Sequence, residues 1–267
     1  MLDRLNARRL PFRLGTTSYV IPADLVANAR FLSTRVHDMQ LVLFDLPDGT
    51  SNLPSATHVR ELAAIARATG LSYTVHLLDD VRLRDDAGAP HPSLERAAMV
   101  IELTRHLQPH AYVLHLEGRA VRTAAPQSPA LVRWQEEQVI ALEQLAALVD
   151  TPAQLAVENL EGYAPEFVTP VVERTPVARC VDVGHLWLDG HDPRPSLRRA
   201  GTRLRVVHMH GVGDRDHQSV AVTPRAELDA VLTCLLELEF AGVLTLEVFG
   251  PEDFATSVDA VLAALSG

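Results

Sequence analysis

The chain has 267 residues, a formal net charge of −10 and 24 Lys-plus-Arg positions, all of which are Arg. Without Lys it has no P-loop phosphate lysine, no Schiff-base amine and no lysine general base. The acidic balance argues against binding duplex DNA by phosphate neutralisation, so no nucleic-acid partner is expected.

Eight short apolar runs read as strands in chain order, over residues 13–19, 39–45, 71–77, 111–116, 154–158, 178–183, 204–210 and 243–249. Several, such as LVLF and LRVVHM, are nearly continuous rather than alternating, as in strands covered on both faces of a parallel sheet. Helical patterns fall between them, over 23–34, 55–69, 93–107, 131–149, 165–174, 196–200, 225–239 and 254–265. Gly70 is placed to cap the second of these, and Ser93 is the candidate N-cap of the third, with Glu95 in its first turn. Eight strand–helix pairs predict a closed (β/α)8 TIM barrel filling one domain over 1–267, with an open doubly wound sheet as the fallback. The long loops 78–92, 117–130 and 211–224 each follow a strand and so belong to the C-terminal face, where barrels carry their active sites. No apolar run is long enough for a membrane span, and the start MLDRLNARRLPFRLG lacks the apolar stretch of a secretory signal. Cys180 and Cys234 lie far apart among apolar residues and read as reduced core thiols, which suits a cytoplasmic setting.

The 12 His gain meaning from position. His76 closes the third strand, His115 the fourth, Glu158 the fifth and Asp182 the sixth, with His185 just beyond. His208 and His210 close the seventh, Asp214, Asp216 and His217 follow in its loop, and Glu247 closes the eighth. A single strand-end His is more often a hydrogen-bonded core residue than a ligand. Six consecutive strands each ending in imidazole or carboxylate have no such bland explanation, and these are the donors that divalent metals take. His208 is favoured as a ligand and His210 as its neighbour. His37, His58, His91, His106, His110 and His191 fall on helices or outer loops and read as solvated. Tyr19, Asn52, Arg119 and His210 are candidate substrate contacts, Asn159 a candidate support for the ligands beside it.

The order His, His, Glu, Asp-x-x-His, His, acidic loop with His, Glu resembles the xylose isomerase-like barrels, and more narrowly AP endonuclease family 2. That resemblance implies up to three divalent metals. His76, His115 and Glu158 would hold the first. Glu158 would bridge to a second, held also by Asp182, His208 and Glu247. His185, Asp216 or Asp214, and His217 would hold the third. The family spaces its loop pair as Asp-x-His, whereas this chain reads Asp214-Arg215-Asp216-His217.

The segments LGTTSYVIPADLVANARFL, LVLFD followed by SNLP, and VVHMHG followed by RDH are similar to the cobamide-remodelling phosphodiesterases, the CbiR group. This implies a corrinoid small-molecule substrate, hydrolysis of its nucleotide-loop phosphoester, two or three zinc, manganese or cobalt ions, and Glu158 and Glu247 as catalytic carboxylates. A sugar isomerase or epimerase would need only the quartet Glu158, Asp182, His208 and Glu247, leaving His76, His115, His185 and His217 without a task. An AP-site nuclease would want basic loops, but LDDVRLRDDAGAP is mixed and slightly acidic. A non-catalytic corrinoid- or sugar-binding barrel is the remaining reading.

Overall fold

Strands that are apolar on both faces need cover on both, and a barrel wrapped in helices supplies it. The computed structural model describes residues 1–215 and 217–266. In it, β1 (Arg13–Thr17), β2 (Asp38–Val42), β3 (Ser72–His76), β4 (Tyr112–Leu114), β5 (Leu155–Glu158), β6 (Ala178–Asp182), β7 (Leu204–Met209) and β8 (Val243–Leu246) pair in chain order, all parallel. β8 closes on β1, giving the expected (β/α)8 barrel. Around it run α1 (Leu2–Asn6), α2 (Leu25–Leu32), α3 (Ala56–Thr69), α4 (Pro92–Thr104), α5 (Pro129–Ala146), α6 (Thr169–Val172), α7 (Val183–Leu188), α8 (Arg194–Ala200), α9 (Arg225–Glu237) and α10 (Pro251–Ala264). Among the described residues no helix is long and apolar enough to cross a membrane.

All eight strands lie where expected, but several stop short at their C-terminal ends: 13–19 ends at Thr17, 39–45 at Val42 and 243–249 at Leu246. Apolar character reports burial rather than pairing. Leu43 and Val248 are buried beyond the ends of their strands. Two helices have no signature in the sequence pattern. α1 buries only Leu5. α7 starts immediately after β6, with Asp182 as its N-cap accepting the His185 N–H, and takes in Val183, the last residue of the run that reads as strand. The pattern at 165–174 yields only the four residues of α6. α4 begins at Pro92, not Ser93: the His91 ring accepts the Ser93 N–H as N-cap, and the Ser93 hydroxyl accepts the Arg82 N–H. Gly70 caps α3 at φ +79°, the left-handed conformation glycine adopts without strain.

Side chains alternate along each strand, so each inward column advances by two residues. Between β4 and β7 the column floor is small: Ala111, Val113, Ala156, Ala178, Cys180 and Val206. Two residues above Val113, Ala156, Cys180 and Val206 stand His115, Glu158, Asp182 and His208. The same spacing carries buried Thr74 to His76 and buried Thr245 to Glu247. Outward residues such as Val75, Leu114, Val157, Val181, Val207 and Leu244 pack against the helices in the main core. At the opposite, N-terminal end His110 is not solvated as expected. It accepts a hydrogen bond from Arg13 at Nδ1, while Arg205 donates to its carbonyl. Burial and those two guanidiniums push it down to about 3, so it stays neutral.

Candidate metal centre

The inward columns deliver their last residues to one mouth. His76, His115 and Glu158 place donor atoms within 4.8 Å of one another. Glu158 Oε2 lies 3.2 Å from His115 Nε2 and 3.5 Å from His76 Nε2. The His76 Nδ1 faces the Leu77 carbonyl at 2.9 Å, which presents Nε2 to the site when Nδ1 carries the proton. His115 Nδ1 lies 3.1 Å from Asp80 Oδ1. Burial opposes charge on His115, but Glu158 and Asp80 outweigh it and lift it to about 10. The hydrogen bond from His115 in turn holds the Asp80 carboxyl below its ordinary range.

Glu158 also belongs to a second cluster with Asp182, His208 and Glu247, all buried and again within 4.8 Å. His208 Nδ1 sits 3.1 Å from Glu158, 3.3 Å from Glu247 and 3.8 Å from Asp182. Its Nε2 lies 2.7 Å from Gln40 Oε1, and the Gln40 amide donates to Glu247 at 3.3 Å. Burial opposes ionisation of both glutamates. It is outweighed at Glu158 by His208 and His115, and at Glu247 by His208 and His217, and both carboxyls end well below their ordinary value. Burial likewise opposes charge on His208, yet Cys180, Glu158 and Glu247 hold it well above the ordinary imidazole value.

Three carboxylates enclosed around one imidazole are costly to bury unless cations share the space. The Asp182 Oδ2 makes the point: it is buried with no hydrogen-bond partner among the described residues. Its other oxygen is committed to the His185 N–H. A donor set of carboxylates and imidazoles with an unspent buried oxygen fits divalent ions.

On the far side of the mouth, a third group comprises His185, His210 and His217. His210, read from the sequence as a neighbour, is here inside a cluster: its ring stacks on His217 and its Nε2 lies 3.5 Å from Asp182. His217 Nε2 approaches Glu247 to 3.6 Å. Asp214 is exposed and outside the clusters, and Asp216 lies outside the described residues.

The candidate substrate contacts are more dispersed. Asn52 spends its amide on the Phe44 N–H, the Val42 carbonyl and the Tyr19 hydroxyl, bracing the loop after β2. Tyr19 stands edge-on to Phe249, whose ring also touches His217, so it borders the mouth. Arg119 is exposed in the loop after β4. Asn159 braces Asp182 and His185 from both sides: its side-chain amide pairs with the Asp182 backbone, and its carbonyl lies 3.1 Å from His185 Nδ1. Gln40, Asp80 and Cys180 carry no sequence signal. Cys180, one layer below, is a buried free thiol near both Glu158 and His208, and burial pushes it up to about 12.

No curated protein matches the chain. Solved structures do. A D-tagatose 3-epimerase-like protein superposes with a TM-score of 0.76 at 15% identity, over 95% of this chain and 97% of its own. Endonuclease IV from Thermus thermophilus gives 0.68 at 21% identity, over 95% and 98%. The IolI protein with a bound zinc atom gives 0.67 at 16% identity, over 96% and 98%. At these identities the likeness is one of fold. The AP endonuclease 2 family, described as a xylose isomerase-like TIM barrel, matches residues 35–265. With that match spanning most of its length and its barrel closed in chain order, the chain belongs to the xylose isomerase-like TIM barrel family.

Proposed function

We propose that the chain is a metal-dependent phosphodiesterase that hydrolyses the nucleotide-loop phosphoester of cobamides. The observation that carries this reading is the position of Glu158, whose two oxygens face different clusters: Oε2 toward His76 and His115, Oε1 toward His208. A carboxylate so shared would serve both clusters. Divalent ions held there by His76, His115, Glu158, Asp182, His208 and Glu247 would supply Lewis acidity to a phosphoester and lower the pKa of water. Glu158 and Glu247 are held ionised by the imidazoles around them, which suits them as ligands, and orienting the attacking water is the role proposed for Glu247. Water adds across the phosphorus–oxygen bond to the nucleoside: its oxygen joins phosphorus and a proton passes to the departing ribose oxygen. The products are cobinamide phosphate and an α-ribazole-type nucleoside. Tyr19 and Arg119 are proposed contacts for the substrate on the rim. The corrinoid assignment draws on the N-terminal segments from Leu14 to Leu32 and around Asn52.

Mass analysis of products after incubation with a cobamide and manganese, zinc or cobalt tests the reading. Release of the nucleoside is expected, and Glu158→Gln is expected to abolish it with the fold retained. No turnover with any of the three metals contradicts it.

A second reading, sugar epimerisation, is favoured by the quartet Glu158, Asp182, His208 and Glu247, which alone would hold one ion, and by the epimerases among the similar structures. It differs in requiring one metal per chain, activity on a ketose, and survival of that activity in His76→Ala and His115→Ala. Elemental analysis together with a ketose assay separates the two.

A further inference from the structure

Among the described residues the mouth holds a group of three imidazoles, with Asp182 3.5 Å from His210 and Glu247 3.6 Å from His217 at its edge. His185, His210 and His217 bring ring nitrogens within 4.8 Å of one another. His210 is fully buried, stacked on His217 with 4.3 Å between centroids and 7° between planes, and edge-on to His185 at 5.6 Å. The space for its ring is made by Gly184: a Cβ there would overlap the His210 ring at Nε2. Gly184 lies in α7 without a positive φ, so its backbone does not require glycine. In a helix glycine is less favourable than alanine. The steric need at this position is the His210 ring.

Two further features converge on the group. The Gly211–Gln218 pair bonds in both directions, folding the loop back so that His217 covers His210, and His217 itself takes φ +53°. His185 Nδ1 lies 3.1 Å from the Asn159 carbonyl, and His210 Nδ1 lies 3.3 Å from the Gly211 carbonyl. A proton on each Nδ1 directs both Nε2 lone pairs into the cluster, the arrangement in which imidazole binds metal.

We propose that His210 is a metal ligand, and that with His185 and His217 it forms a subsite whose metal preference differs from that of the carboxylate quartet. The family resemblance assigns the corresponding ligand to an aspartate of the loop. Here an imidazole borne on the end of β7 stands in the cluster. Imidazole nitrogen suits zinc, cobalt, nickel and copper, whereas carboxylate oxygen also suits manganese and magnesium. The chain therefore takes more zinc or cobalt than manganese, and the two ends of the mouth hold different ions when both kinds are supplied.

The full chain is stripped with a chelator and titrated separately with zinc, cobalt and manganese, with metal content read by elemental analysis and cobalt by its visible spectrum. The unmodified chain is expected to bind one equivalent more of zinc than of manganese. His210→Ala is expected to weaken that extra equivalent by more than about 100-fold, beyond the loss usual for an outer partner of a ligand. Gly184→Ala, which keeps every imidazole but fills the space of the ring, is expected to do the same. Manganese content is expected to be unchanged in both. Equal zinc and manganese content in the unmodified chain overturns the proposal. So does a folded His210→Ala chain with full zinc content and the parent cobalt spectrum. If both variants fail to fold, the zinc–manganese comparison on the unmodified chain decides alone. None of these readouts involves a cobamide: a chain that shows the extra zinc site and cleaves no cobamide refutes only the proposed substrate.

Discussion

His208 is the residue on which the mouth turns. One ring nitrogen faces Glu158 and Glu247, and the other lies against Gln40. Gln40→Leu removes the acceptor from a buried N–H, an uncompensated loss of about 1–3 kcal/mol. It is also expected to weaken metal binding about 10–100-fold, while Gln40→Glu, which keeps an acceptor, is expected to retain more of it. Metal titration of the two variants checks this. The same residues set a pH dependence. His115 is raised from 6.5 to about 10 and His208 is raised likewise, so the stability they contribute is complete below 6.5 and is lost as pH rises toward 10. Glu158 and Glu247 are depressed below 4.5, so theirs is complete above 4.5 and is lost as pH falls through their lowered values. His110, lowered from 6.5 to about 3, removes stability as pH falls below 6.5, so the metal-free chain is expected to melt highest near pH 6.5 and progressively lower from there to 10. Zinc competes with protons for these imidazoles, so it is expected to raise the midpoint more at about pH 8 than at about pH 6. Calorimetry with and without zinc measures both; a metal-free midpoint that is flat from about pH 6 to 10 contradicts the account.

At the scale of elements, helix ends are set by single residues. Ser55 caps α3 by accepting the His58 N–H, and Gly70 ends the same helix in the left-handed region. Ser55→Ala is expected to cost about 0.5–2 kcal/mol and Gly70→Ala about 1–2 kcal/mol. The sites are far enough apart for the costs to add. Denaturant titration measures the losses, and metal content is expected to stay unchanged in both. The Gly70 cap was legible in the sequence, whereas Ser55 reads as the first residue of its helix and Ser93, read as an N-cap, lies inside α4 with His91 as the cap. All eight strands were legible, because strands covered on both faces leave short, largely apolar runs. The residues that converge at the strand ends were legible from their positions: a carboxylate such as Glu158 or Glu247 closing an apolar run is a candidate ligand, and the structure brings these side chains together. What was not legible depends on contacts between elements. Gln40 lies in mid-strand, and only barrel closure brings it to His208. Asp80 reaches His115 because the chain after β3 pairs Val81 with Leu116. His210 shares a face with His208 by alternation, but its place in a cluster depends on Gly184, which follows the preceding strand, and on the return of the loop at Gln218.

For the molecule as a whole, the barrel grades the site by depth. The side chains of His76 and His115 are 17% and 22% exposed, whereas those of Glu158, Asp182 and His208 are at most 1% exposed. An ion at the outer pair can meet a chelator directly, while one at the inner quartet must wait for the mouth to open locally. Release of manganese, which the three-imidazole subsite does not take, is expected into excess chelator in two phases, the slower strongly temperature-dependent, and His76→Ala is expected to remove the fast phase alone. Stopped-flow measurement with a chromogenic chelator resolves them; a single phase contradicts the gradient. Slow exchange at depth carries a consequence for the history of the molecule. An ion held in the quartet would be chosen as the barrel closes around it, from whatever is at hand during folding, and would be kept thereafter by kinetics rather than by affinity. Two preparations of identical sequence, folded in different metals, would then remain chemically distinct long after being brought to the same buffer.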